Sequence, residues 1–134
     1  MAEEATLVIV KPDAVRRGLI GEILGRLERK GLRIEAMRRM RIDRDLAERH
    51  YDEHRDKAFF GELVDFITSG EVVVARVVGE QAVAVVRTLM GPTDPAAAPP
   101  GTIRGDYGVV ITENLVHGSD SPESAKRELD LFFG

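Results

Sequence analysis

Apolar and polar positions follow two different periods along this chain, and the switches between them mark out its elements. Thr6–Val10 (Thr-Leu-Val-Ile-Val) is a continuous, largely β-branched run, the pattern of a strand covered on both faces. Pro12 ends that ladder and leaves Lys11 at the strand's C-terminal end, where functional groups collect in α/β structures. Past Gly18, the residues Ile20, Ile23, Leu24 and Leu27 recur at i, i+3, i+4 and i+7, which predicts an amphipathic helix. Gly31 reads as its cap, after two cations, Arg29 and Lys30, suited to the helix's negative end. From Leu32 the period becomes two. Leu32, Ile34, Ala36, Met40 and Ile42 share one face, and Arg33, Glu35, Arg39 and Arg41 fall mostly on the other, as in a half-buried strand.

Asp43 then caps a charged helical segment that extends to about His54. Phe60, Leu63, Val64 and Ile67 mark another amphipathic helix, ended by Ser69-Gly70. Val72–Val78 reads as the third strand. Ala82, Val85, Val86 and Leu89 give a helix with one apolar face. The stretch from Gly91 to Gly105 has no period and holds four of the six prolines, so it predicts a stiff, ordered and functional loop. Val109–Ile111 has the look of a strand, and Leu115-Val116 leads into His117. Ser121 as N-cap with Pro122 at the first position starts a last helix to about Phe132. Helices alternating with strands predict, on periodicity alone, parallel βαβ units. No repeat, low-complexity tract or linker divides the chain, so residues 1–134 read as one domain.

Composition narrows the class. Hydrophobic residues make up 43% and charged residues 31%, which is globular and not disordered. A net charge of −4 gives no overall pull towards nucleic acid or anionic membrane. Without cysteine there is no disulfide framework, thiolate nucleophile or Cys-based zinc site. The Met-Ala-Glu-Glu start lacks the basic and apolar regions of a signal peptide, and no apolar run approaches the length of a bilayer span. A soluble cytoplasmic protein is the expectation.

Three constellations carry candidate chemistry. His50-Tyr-Asp-Glu-His54 matches a zinc-protease pattern, but a zinc site needs a third protein ligand and the chain has only one other histidine. The two read as mostly solvated. Lys11, Arg87 and Arg104 stand at a strand end, beside a helix's apolar face and where the proline loop closes. If they converge, a point charge and two planar forks make a polyphosphate clamp. His117 follows an apolar strand and precedes Gly118, which reads as a hinge without a Cβ to crowd the imidazole. Glu128 lies at the edge of the last helix's buried stripe. From there its carboxylate can hydrogen-bond one ring nitrogen, fix the tautomer and leave the other nitrogen free, as an activated nucleophile or general base requires.

Five segments together resemble the nucleoside diphosphate kinase family over nearly the whole chain. They are Lys11-Pro-Asp-Ala, Phe59-Phe60-Gly-Glu-Leu-Val-Asp-Phe-Ile-Thr-Ser-Gly70, Leu89-Met-Gly-Pro-Thr-Asp-Pro95, Pro100-Gly-Thr-Ile-Arg-Gly-Asp106 and Asn114-Leu-Val-His-Gly-Ser-Asp-Ser121. The last is that family's signature, Asn-x-x-His-Gly-Ser-Asp. The resemblance implies an α+β fold: a ferredoxin-like βαββαβ sandwich with a four-stranded antiparallel sheet, added helices and a long proline-rich loop. It implies irregular or helical structure at Val109–Ile111. It also implies a ping-pong transfer of the γ-phosphate of a nucleoside triphosphate, mainly ATP, to a nucleoside diphosphate, through a phosphohistidine on His117.

In that scheme Ser119 and Glu128 orient His117, while Lys11, Arg87 and Arg104 hold the phosphates and neutralise charge on the transferring group. Thr93 donates to the diphosphate, Asn114 and Lys11 contact the ribose hydroxyl, Phe59 stacks on the base and Tyr51 hydrogen-bonds near Lys11. Mg²⁺ bridges phosphate oxygens, held mainly by the nucleotide. The implied partners are nucleoside tri- and diphosphates and further copies of the chain, as a tetramer or hexamer, with the proline loop both bordering the nucleotide and packing between subunits. Neither a membrane nor a specific nucleic acid is expected. Glu71 departs from the proline found in many members, as does Val109-Val-Ile-Thr-Glu113 from a commoner polar version. A catalytically silent nucleotide-binding, regulatory or scaffold protein on the same fold is the alternative.

Overall fold

The β-branched run near the start forms β1 (Glu3–Val10), and Leu7 through Val10 are all at 0% exposure. Leu7 and Ile9 face one core, Val8 and Val10 the other, as a pleat requires. The computed structural model describes residues 3–134; Met1 and Ala2, which open the Met-Ala-Glu-Glu start, lie outside the described residues. After β1 come α1 (Pro12–Arg16), α2 (Ile20–Lys30), β2 (Arg33–Arg41), α3 (Arg44–His50) and α4 (Phe60–Ile67). Then follow β3 (Glu71–Glu80), α5 (Ala82–Met90), α6 (Ile103–Tyr107), β4 (Val116–Gly118) and α7 (Pro122–Phe133). The local signals act as expected: Gly31 ends α2 at φ 106°, and Asp43 accepts from Leu46 N–H at 2.8 Å. Ser121 Oγ accepts from Ser124 N–H at 3.0 Å ahead of Pro122.

The sheet order is β2-β3-β1-β4, and every neighbouring pair is antiparallel. Parallel βαβ pairing, which the alternation of elements suggested, is therefore wrong, for a specific reason. β1 and β2 do run in the same direction, but β3 lies between them; β3 and β4 likewise flank β1. Each βαβ unit is split by a strand of the other, as in ferredoxin-like sheets. Alternation along the chain fixes crossover order and says nothing of which strands touch. One core packs α2 and α5 on the sheet; the other packs α3, α4 and α7.

Three further expectations change. α3 stops at His50 rather than near His54, and a 3₁₀ turn, Asp52–His54, follows. The Arg127 guanidinium from α7 donates to the carbonyls of Arg49 (3.1 Å) and His50 (3.2 Å), which continued helix would need as acceptors. The proline loop contains a 3₁₀ turn, Pro95–Ala97, and passes into α6 before Gly105, where a Cβ would collide with the Pro99 carbonyl. Residues 109–111 form no strand and stay exposed, as the family resemblance implied. Glu71 opens β3 opposite Arg41, where it accepts from Arg39 Nε at 3.0 Å.

Candidate active site

His117 is the middle residue of β4, paired with Ile9 of β1, so the C-terminal end of β1 meets the start of β4. Lys11, one residue past β1, donates its backbone N–H to Leu115 O (2.9 Å) and its ammonium to Asn114 Oδ1 (2.8 Å). The Asn114 amide donates in turn to Thr93 O at 3.2 Å. Between Asn114 and β4, Leu115 holds φ at 75°, a left-handed conformation that costs a branched L-residue roughly 1–2 kcal/mol. Asp13 accounts for its persistence. Its Oδ2 accepts the Leu115 N–H at 3.1 Å, inside the fold where no water competes.

Lys11, Thr93, Asn114 and His117 line a cleft of about 340 Å³, a volume suited to a small-molecule ligand. Its wall also includes Arg87, Arg104, Tyr51, Phe59 and Glu128, drawn from stretches far apart in the chain. The three expected cations therefore do converge. Arg104 is buried, and its fork donates to Asn114 O (3.1 Å), Gly91 O (3.0 Å) and Val116 O (2.6 Å), tying the proline loop to β4. Arg87 donates to Gly118 O at 3.1 Å. Burial, then the charge of Arg104, pulls the Lys11 ammonium down to about 8, with Asp13 pulling partly back. Burial, then Arg87, takes Arg104 down to about 10. Cations that depress one another in this way form a site that gains by receiving an anion.

The imidazole is fixed from one side. His117 Nε2 lies 2.8 Å from Glu128 Oε1, and the same oxygen accepts from Ser119 Oγ at 2.7 Å. Ser119 is itself locked to β1, accepting the Leu7 N–H at 3.2 Å. Ser119 thus bears on His117 through Glu128 and not directly. Burial works against ionisation of Glu128, but the hydrogen bond and charge of His117, with Ser119 adding to them, hold its pKa below the usual carboxylate value. An ionised Glu128 accepts from Nε2–H, which leaves the lone pair on Nδ1.

The remaining expected residues fall as follows. Phe59 stands at the cleft, 45% exposed, with Lys57 Nζ 5.6 Å from its ring centre. Tyr51 is buried in the wall, and Lys11 donates to Asn114 rather than to it. Burial, then Glu128, raises the Tyr51 pKa. Two readings need correction. His50 is not solvated: it is 3% exposed, packed against His117. Gly118 is no hinge: it lies within β4, and a Cβ there would sit 2.6 Å from Met90 Sδ and 2.9 Å from Val86 Cγ1. Its hydrogen is what lets α5 approach the strand. Asp13 had no role from sequence; a carboxylate directly after Lys-Pro was the available sign.

A sequence profile described as nucleoside diphosphate kinase matches residues 4–134. The chain belongs to the nucleoside diphosphate kinase family. It is 66% identical over 131 residues to the nucleoside diphosphate kinase of Rubrobacter xylanophilus, covering 98% of each chain. It is 62% identical over 130 residues to that of Archaeoglobus fulgidus, covering 97% of this chain and 86% of that one. A halophilic nucleoside diphosphate kinase from Halobacterium salinarum, solved in complex with CDP, superposes with a TM-score of 0.96 at 54% identity, over 98% of this chain and 88% of that one. The Aquifex aeolicus nucleoside diphosphate kinase gives 0.96 at 43% identity, over 99% and 96%. The activity is that of a nucleoside diphosphate kinase. It moves the γ-phosphate of a nucleoside triphosphate to a nucleoside diphosphate, in two half-reactions joined by a phosphohistidine and with a divalent cation. Among the described residues no helix is long and apolar enough to cross a membrane.

Proposed function

We propose that His117 carries the phosphoryl group, and that the observation supporting this is the 2.8 Å contact of Nε2 with Glu128 beside three converging cations. The Nδ1 lone pair attacks the γ-phosphorus, the bond to the β-phosphate oxygen breaks, and the diphosphate leaves. Nε2–H stays on Glu128, so no proton has to move. In the second half-reaction a terminal oxygen of the incoming diphosphate attacks phosphorus and the P–N bond breaks. Lys11, Arg87 and the N–H groups that Arg104 has left over neutralise charge on the equatorial oxygens. Thr93 donates to the diphosphate, and Asn114 with Lys11 meets the ribose hydroxyl. Phe59 stacks on the base without selecting among bases, since each has a π-face. Tyr51 and Ser119 hold the surroundings of Lys11 and Glu128.

Mg²⁺ is the divalent cation we assign. The cations that line the cleft fit a metal held by the nucleotide's own oxygens; Asp120 and Glu53 are exposed carboxylates that line the same cleft. When bound, it neutralises phosphate charge and orients the chain of phosphates. The whole chain acts as one domain, in the cytoplasm, and assembles with copies of itself as a tetramer or hexamer. The edge strand β2 with Met37 at 62% exposure, and exposed Val109, Val110 and Ile111, support self-association. A monomer by light scattering at micromolar concentration refutes that.

The test of the reading is incubation with γ-labelled ATP. An acid-labile, alkali-stable phosphoprotein is expected, and label surviving in His117→Ala sinks the assignment.

A further inference from the structure

One group in the cleft wall has no part in the reaction as written. His50 ends α3, and its ring meets Tyr51 (centroids 4.7 Å apart), Phe132 (5.6 Å) and His117 (4.7 Å, planes at 80°). Its Nδ1 is enclosed without a hydrogen-bond partner. Its backbone is anchored separately, by the Arg127 guanidinium on its carbonyl. The imidazole of His117 is therefore bounded twice, by Glu128 in the plane of the ring and by a ring set almost perpendicular to it. A single hydrogen bond at Nε2 leaves the ring able to rock about that contact. An edge-to-face neighbour at this distance removes that freedom.

We propose that His50 is a positioning residue for phosphoryl transfer, its ring forming a wall that keeps the His117 imidazole turned with Nδ1 towards the phosphates. This rests on the reading of His117 as phosphoryl carrier. The groups facing His50 are His117 from β4, Lys11 from the end of β1, Glu128 and Arg127 from α7, and Tyr51 beside it. Burial, then the charge of His117, holds the His50 pKa well below the usual histidine value, against the pull of Glu128. A charged His50 would compete with His117 for Glu128; a neutral one does not. His50, His117 and Glu128 also offer ligand atoms within 4.8 Å of one another, the spacing of a metal site. Two cations, Lys11 and Arg127, face the same space, and Glu128 Oε1 already has two partners, so the wall is the better use of this geometry.

The test compares wild type, His50→Ala and His50→Phe by rapid-quench labelling from γ-labelled ATP and by ¹⁵N NMR of His117. In His50→Ala, phosphoenzyme forms about 10- to 100-fold more slowly, the scale of a small misplacement of a reacting group, with KM little changed. The His117 ring signals keep their tautomer and broaden, as an imidazole rocking about its Glu128 contact requires. His50→Phe restores a planar ring of similar reach and recovers most of the lost rate. A wild-type rate in His50→Ala, His117 ring signals as sharp as in wild type, or a His50→Phe as slow as His50→Ala overturns the proposal. So does stoichiometric zinc bound by wild type and lost in both variants. If His50→Ala does not fold, His50→Leu takes its place with the same expectation. Wild type unlabelled at His117 fails the reading of the nucleophile; wild type labelled there with His50→Ala at full rate fails only this inference.

Discussion

Glu128→Gln isolates the charge that faces the nucleophile while keeping the side chain's size. In the resting enzyme the Glu128 carboxylate accepts from neutral His117 at 2.8 Å and from Ser119 at 2.7 Å. As the P–N bond forms, the ring becomes a phosphoimidazolium and its Nε2–H bond becomes a bond between opposite charges. A hydrogen bond to a charged group contributes about 1.5–3 kcal/mol, against about 1 for a neutral pair. The substitution therefore removes about 0.5–2 kcal/mol that develops only as the bond forms. At about 1.4 kcal/mol per decade, kcat falls about 2- to 30-fold and KM stays nearly constant. A coupled assay of phosphate transfer from ATP to a second nucleoside diphosphate reads both constants. Stability moves separately. Glu128 is held below its unfolded value, so its contribution is present above the unfolded carboxylate range and lost as pH falls through the folded value. Glu128→Gln flattens that acid limb. Unchanged kcat, or a KM that rises while kcat holds, refutes the reasoning.

Lys11 titrates at about 8 in the free enzyme, and phosphate binding needs its cation, so kcat/KM should fall above about pH 8. Lys11→Arg moves that limb up, and a limb that does not move removes Lys11 from the clamp. The same shift acts on stability with the opposite sense. The unfolded lysine keeps its proton towards 10.5, so this group's burden on folding is relieved as pH rises from about 8 to 10.5. Arg104→Ala leaves three carbonyls without their donor, which should cost on the order of 3 kcal/mol in urea unfolding as well as kcat/KM. Full stability in that variant contradicts the structural half of the role. Gly118→Ala forces a methyl against Met90 and Val86, for a loss of about 1–3 kcal/mol and a lower kcat as β4 shifts; a thermal midpoint equal to wild type would show that α5 yields freely.

What could be read from sequence tracks the range of the cause. The run Leu7–Val10 announced a strand buried on both faces because each residue's own side chain is the reason. The caps at Asp43 and Ser121 were legible because donor and acceptor lie three residues apart. His50 was misread because its neighbours in sequence, Arg44, Asp45 and Arg49, are exposed charges, whereas its burial depends on His117 and Phe132 from β4 and α7. Gly118 was misread for the same reason: the atoms that forbid a Cβ belong to α5. Lys11, Arg87 and Arg104 could be picked by placement, but their convergence came only through the family resemblance and the fold.

Strand direction, the least legible feature, is also the one that makes the site. β4 runs antiparallel to β1 with Val116 opposite Val10, so the chain enters β4 beside the strand end that carries Lys11. That pairing sets Asn114 against the Lys11 ammonium and brings His117 to the mouth of the same cleft. Parallel pairing over the same three residues would set Val116 beside Val8, so the chain would enter β4 from the other side and Asn114 would lie away from the Lys11 ammonium. The same motif, Asn-x-x-His-Gly-Ser-Asp, would then lose the Asn114–Lys11 contact that joins the two strand ends. The split βαβ arrangement is therefore a condition for the chemistry: it decides that the strand presenting the nucleophile and the strand presenting the lysine meet at one end of the sheet.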